Sequence, residues 1–188
     1  MTFGALPYED RDAKAALSKR FEVSGIPKLI MLGPVIDKNT GERKVINDSV
    51  RSFIEKEDFD EFPFVKRNFG DVDSAVGDLN EKKCVIVFHE QGDDEEQAEL
   101  VKVMKEVAAT YDKGDGESDF SFYWALTTEG LSSRIRSVVN MTEVKEEPIM
   151  IMLDIPDDGG YYTSTETDAT VENIKKFVES PGERQQLS

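Results

Sequence analysis

Apolar residues fall along this chain in short bursts separated by polar punctuation, a rhythm that suits an α/β protein. Arg11 to Phe21 predicts a helix, because Ala13, Ala16, Leu17, Arg20 and Phe21 share one face and Glu9 and Asp10 sit at its positive end. Lys28-Leu29-Ile30-Met31-Leu32 reads as a short buried strand, which Gly33-Pro34 is expected to interrupt. Val35 to Ile46 predicts two edge strands around an Asn39-Thr40-Gly41 turn, and Asn47-Asp48 caps a helix from Ser49 to about Glu57. Asp58 to Asp73 places Phe59, Phe62, Pro63, Phe64 and Phe69 among charges, as an anchored connector would.

The pattern then restarts. Ser74–Asn80 predicts a short helix and Cys84–Phe88 an apolar strand. Glu95–Tyr111 reads as a long amphipathic helix, with Ala98, Val101, Met104, Lys105 and Ala108 on or beside its core stripe. Phe120–Ala125 is an aromatic-rich strand, Thr127 to Val139 a helix, and Ile149–Ile155 a strand led by Pro148. A turn at Asp157-Asp158-Gly159-Gly160 leads to a partner strand, Tyr161–Thr163, and Thr170–Val178 closes as an amphipathic helix. The order β, α, β, α, β, β, α is that of a thioredoxin-like fold, and the first stretch repeats its second half. The expected organisation is therefore residues 1–66 as the C-terminal half of one such domain and 67–73 as a connector. A complete domain at 74–180 and a polar tail at 181–188 follow.

Charge sharpens the division. Residues 1–67 carry 12 Lys/Arg and 12 Asp/Glu, so the net charge of −16 belongs entirely to the remainder. An acidic surface repels nucleic acid phosphates and anionic lipids, which points away from both as partners; it suits a basic protein partner, but a solvated surface that keeps the chain soluble is the weightier reading. No run of about 18 apolar residues is present, so no membrane span is expected. A single cysteine, Cys84, excludes an internal disulfide and a cysteine-type zinc site, and fits a reducing cytoplasmic or nuclear setting. With one histidine, His89, and no phosphate-cradling glycine loop, most hydrolase mechanisms drop out and no cofactor is expected. The acids around His89 (Glu90, Asp93, Asp94, Glu95) and the set Asp112, Asp115, Glu117, Asp119 lack metal-ligand spacing, so both read as solvated loops. Phe120, Phe122, Tyr123 and Trp124 read as alternating core and sheet-edge residues, not a base-stacking platform.

Three segments carry a family resemblance. Ala5-Leu6-Pro7-Tyr8-Glu9-Asp10-Arg11-Asp12, Ala16–Phe21 and Gly25-Ile26-Pro27-Lys28-Leu29-Ile30-Met31-Leu32 resemble nucleoredoxins and the related tryparedoxins, and Glu61-Phe62-Pro63-Phe64 is similar to the end of that domain in nucleoredoxins. The acidic second unit resembles their C-terminal, protein disulfide isomerase-like domain. The resemblance implies a parent thiol–disulfide oxidoreductase whose Trp-Cys-x-x-Cys segment precedes the region matching Ala5, so this chain is expected to start downstream of it. It further implies that Pro27, after Ile26, is the cis-proline of a peptide groove, and that Pro148, after Glu147, is its counterpart. The helix start His89–Asp94 carries no cysteine, and Cys84 falls within a strand, where an inert core thiol is expected and a lone regulatory thiol is the alternative. No catalytic residue is then expected in this chain, which would be inactive alone and bind polypeptide. The alternatives are a stand-alone redox-silent interaction module and, at lower weight, an acidic divalent-cation-binding protein. A half-domain lacking its central strand also leaves an exposed edge, open to docking or strand exchange between chains.

Overall fold

The computed structural model describes residues 5–48, 50, 51, 54, 59, 62–114 and 118–187, the side chains of 76 and 77 excepted. It divides into two units, Met1–Lys66 and Arg67–Ser188.

In the first unit, helix α1 (Arg11–Arg20) starts where the Asp10 carboxylate accepts from the Ala13 N–H at 3.0 Å, and Lys19 and Arg20 lie in its last turn. The helix buries none of its residues, and Leu17 stays 45% exposed, so the expected apolar face is not covered among the described residues. Strands β1 (Met31–Asp37) and β2 (Glu42–Asn47) form an antiparallel ribbon closed by a turn in which Asp37 accepts from the Asn39 N–H and Gly41 takes φ +69°. Gly33-Pro34 does not end the strand. The ribbon absorbs it through register shifts between Leu32 and Val35, because a proline without an N–H is tolerated where no neighbouring strand needs that donor. Val50 and Phe64 are buried, and Asn47 donates to the Phe64 carbonyl at 2.8 Å. Most of the helix expected from Ser49 to Glu57 lies outside the described residues.

The second unit is built on a six-stranded sheet in the order β3-β5-β4-β6-β7-β8. Its strands are β3 (Phe69–Asp71), β4 (Lys83–Phe88), β5 (Phe120–Ala125), β6 (Ile149–Asp154), β7 (Gly160–Thr163) and β8 (Gln185–Gln186). β3 and β4 run parallel to β5, whereas β6, β7 and β8 continue antiparallel. A 3₁₀ helix (Val72–Asn80) and α3 (Gly130–Val138) cover one face; α2 (Asp94–Tyr111) and α4 (Val171–Glu179) cover the other. This is the thioredoxin-like arrangement, with one added edge strand.

The continuous apolar run Cys84–Phe88 follows from this position, since β4 lies between two strands and under helices on both faces. Cys84, Ile86 and Phe88 pack with Tyr123, Ile135 and Leu153, whereas Val85 and Val87 pack with Leu100, Met104, Phe122, Ile174 and Phe177.

Four expectations change. Phe69–Asp71, expected within the connector, is the first strand, paired Phe69 to Phe122 and Asp71 to Trp124. β5 is consequently an interior strand: Phe122 and Tyr123 are core residues, Phe120 and Trp124 are half-buried against the core, and none marks a sheet edge. The buried stripe of α2 is Leu100, Met104, Val107 and Ala108, while Ala98 and Lys105 face solvent. Both stripes obey the helical period; the one containing Leu100 and Val107 carries more apolar area and wins the sheet face. Gln185–Gln186, expected in a free tail, pairs with β7, where backbone hydrogen bonding needs no apolar side chain.

Candidate functional site

A turn between β4 and α2 gathers the polar groups at the carboxyl end of the central strands. His89 follows Phe88 and donates its backbone N–H to the Ala125 carbonyl at 3.0 Å. Asp93 then caps α2: its Oδ1 accepts from the N–H groups of Glu95 and Glu96 at 2.9 Å, and the Glu96 carboxylate accepts from the Asp93 N–H at 3.0 Å. Asp94, Glu95 and Glu96 complete an acidic first turn, which the helix dipole favours.

His89 is not the solvated residue its sequence surroundings suggest. It is 7% exposed, its Nε2 lies 3.8 Å from Glu96 Oε2, and its Nδ1 has no hydrogen-bond partner. The ring packs against Gly92 so closely that a Cβ there would collide with Nε2, which is why glycine stands at this point of the turn. Gln97 secures the same turn from α2 by donating to the carbonyls of His89 and Leu126.

Glu90 is the second surprise. Its carboxylate accepts from Arg136 Nε at 2.6 Å and Nη2 at 2.7 Å, with side chains 1% and 7% exposed. Ser132 Oγ donates to the same carboxylate, Arg136 Nη1 donates to the Glu143 carbonyl, and the guanidinium lies 4.6 Å from the Phe88 ring. Nothing in the sequence couples Glu90 to a residue 46 positions away. Its only signal is an acid placed two residues after a strand that must be buried.

Cys84 is far from this turn. It lies near the other end of β4, roughly 16 Å from His89 at the rise of an extended strand. Its side chain is inaccessible, Sγ faces the Lys82 carbonyl at 3.7 Å, and burial, helped by the charge of Asp78, pushes the thiol up to about 12. A thiol held protonated is neither a nucleophile nor a metal ligand. Asp78 itself accepts from Ser121 Oγ at 2.6 Å and Tyr123 Oη at 2.9 Å beneath the sheet.

The prolines divide. Ile26–Pro27 is a cis peptide bond, with Ile26 93% exposed beside a depression of about 340 Å³ that Lys28, Asp48 and Arg51 help to line. Lys28 donates from there to the Phe21 and Glu22 carbonyls at 3.2 and 3.4 Å. Phe62–Pro63 is also cis, which the sequence did not suggest. Glu147–Pro148 is not, against the expectation from its similarity to Pro27. The trans form is the lower-energy state of an X–Pro bond, and a matching strand position does not by itself supply contacts that reverse it. Pro148 nevertheless lines two adjoining clefts. One, of about 650 Å³, runs past Asn140–Glu143 and Thr163–Thr167; the other, of about 750 Å³, lies against His89, the first turns of α2 and Asp168–Val171.

Of the acids read as a second loop, Asp112 accepts from the Gly114 N–H and Asp119 pairs with Lys113, while Asp115 and Glu117 lie outside the described residues. Among the described residues no three His, Cys, Asp or Glu side chains are placed to hold one metal ion, and no helix is long and apolar enough to cross a membrane.

No family model matches the chain. Human nucleoredoxin is 29% identical over 186 residues, covering 95% of this chain and 40% of that protein. The likeness is to nucleoredoxins. The mouse protein is 29% identical over 184 residues and the zebrafish protein 26% over 186. This chain spans about 40% of the length of these nucleoredoxins, as a C-terminal portion would. A crystal structure of the bb fragment of ERp72 aligns with 88% of the chain at 13% identity, with a TM-score of 0.45. The similarity to nucleoredoxins runs through both units, since it extends over nearly the whole chain.

Proposed function

We propose that this chain is the redox-silent, polypeptide-binding part of a thiol–disulfide oxidoreductase of the nucleoredoxin type. One observation carries the reading. The strand-to-helix turn at His89–Asp94, where the thioredoxin-like order presents a reactive group, is fully formed and capped but holds no thiol, while Cys84 is buried and protonated. Dithiol exchange needs an attacking thiolate and a resolving thiol, and this chain supplies neither. What the turn retains is shape: clefts on both sides of Pro148 and a set of fixed polar groups. The similarity to nucleoredoxins supports the oxidoreductase parentage; the binding role rests on the clefts.

An insulin-reduction assay on the 188-residue chain is expected to show no dithiol-dependent turnover. Turnover that Cys84→Ser abolishes sinks the redox-silent reading. Retention of members of a randomised peptide library, mapped by amide shifts to residues around Pro148, checks the binding role.

A further inference from the structure

The cleft of about 750 Å³ in the second unit has an unusual lining. Leu100, Val103, Pro148 and Val171 supply apolar surface, while Glu95, Glu96, Glu99, Glu146, Glu147 and Asp168 stand around it, and no lysine or arginine is among its described lining residues. These acids come from three separate segments that meet only in the tertiary structure, so like charge is concentrated here without a neutralising partner among the described lining residues. The second unit as a whole holds 12 Lys/Arg against 27 Asp/Glu, which adds a long-range field of the same sign. Beside the acids, His89 forms part of the wall with its side chain 8% exposed, its Nε2 3.8 Å from Glu96 Oε2 and its buried Nδ1 unpartnered, an arrangement that buried polar groups avoid unless a partner completes them. The carboxylates do not converge on one point as ligands of a metal ion would.

We propose that this cleft binds a basic segment of a partner polypeptide, lysine or arginine side chains laying their methylene stems on Leu100, Val103 and Val171 and their charged ends among the carboxylates. A long cationic side chain is the one group that matches both halves of the lining, since its stem is apolar and its head is not. A polypeptide also carries N–H and C=O groups that can pair with polar groups of the wall, which a bare cation cannot. The inference rests on reading the second unit as a polypeptide-binding domain and names the chemistry of what it binds.

The test uses the full chain and three short fluorescent peptides of one sequence in which the charged position is arginine, glutamine or glutamate, followed by anisotropy. The arginine peptide is expected to bind saturably, about tenfold or more tighter than the glutamine peptide, and to weaken as salt screens the rim. Glu95→Gln, Glu99→Gln and Glu146→Gln together are expected to cost about tenfold in affinity. Glu81→Gln, Glu129→Gln and Glu183→Gln, the same change of net charge on exposed acids outside the cleft, leave affinity within about twofold. His89→Phe, with folding checked by circular dichroism, weakens the arginine peptide as well. Equal binding of the arginine and glutamine peptides overturns the proposal but leaves the polypeptide-binding reading standing; binding of none of the three overturns both. An equal loss in the remote triple variant, affinity unmoved by both the cleft variant and His89→Phe, or spermine binding as tightly as the peptide also overturns it.

Discussion

Two buried ionisable sites in the second unit have opposite logic. The Glu90–Arg136 pair is charged and fully bonded, so removing one partner leaves a buried charge with nothing to answer it. Arg136→Met or Glu90→Gln is expected to cost about 3–5 kcal/mol in denaturant unfolding, whereas the double change costs much less than the sum. Cys84 is buried and neutral. Its ordinary value of 9.0 is raised to about 12 in the folded chain, so the unfolded chain releases this proton first. Its share of stability is therefore complete below pH 9 and is lost as pH rises toward 12, with a slope of at most about 1.4 kcal/mol per pH unit. Tyr123, raised chiefly by burial and also by Asp78, adds a loss of the same sign. Unfolding measured between pH 8 and about 11 should become shallower in its pH dependence in Cys84→Ala. An aromatic disulfide reagent should leave Cys84 unmodified in the native chain and label it on unfolding.

Helix α2 shows how an element is set by its ends and one stripe. The reciprocal Asp93–Glu96 cap fixes where the helix begins, and Leu100, Met104, Val107 and Ala108 fix which face meets the sheet. Asp93→Ala is expected to cost about 1 kcal/mol in thermal or denaturant unfolding. Met104→Ala, emptying a fully buried position, should cost about 2–5 kcal/mol. The helix was expected from Glu95, one residue after its observed start; the Asp93–Glu96 spacing, which a capping box requires, is the signal that places the cap. The stripe was legible only in part: Met104 and Ala108 are buried as expected, but the face turns toward Leu100 and Val107 and leaves Ala98 and Lys105 in solvent, because the larger side chains carry more apolar area. β3 was missed because three residues, one a glycine, carry no alternation; only pairing with Phe122–Trp124 makes them a strand.

At the scale of the molecule the two units are unequal. The second buries two extensive apolar clusters on opposite faces of its sheet, while in the first Val50 and Phe64 are the buried apolar side chains among the described residues, and Leu32, Val35, Ile36 and Val45 on the ribbon are exposed. Residues 67–188 expressed alone are expected to unfold in one cooperative transition by calorimetry. Residues 1–66 alone should give none, because so little buried apolar area does not offset the entropy of ordering the chain. A cooperative transition in the shorter piece would require a core that the described residues do not contain.

Element order, the interior strand at Cys84–Phe88, the acidic second unit and the absence of a thiol at the helix start were readable from the residues, because each depends on neighbours close in the chain. The isomer of the bond before Pro148, the burial of His89, the pairing of Glu90 with Arg136 and the six-acid lining of the cleft were not. Each depends on segments tens of residues apart meeting at the carboxyl end of the sheet, where packing alone decides which polar groups find partners and which are left open.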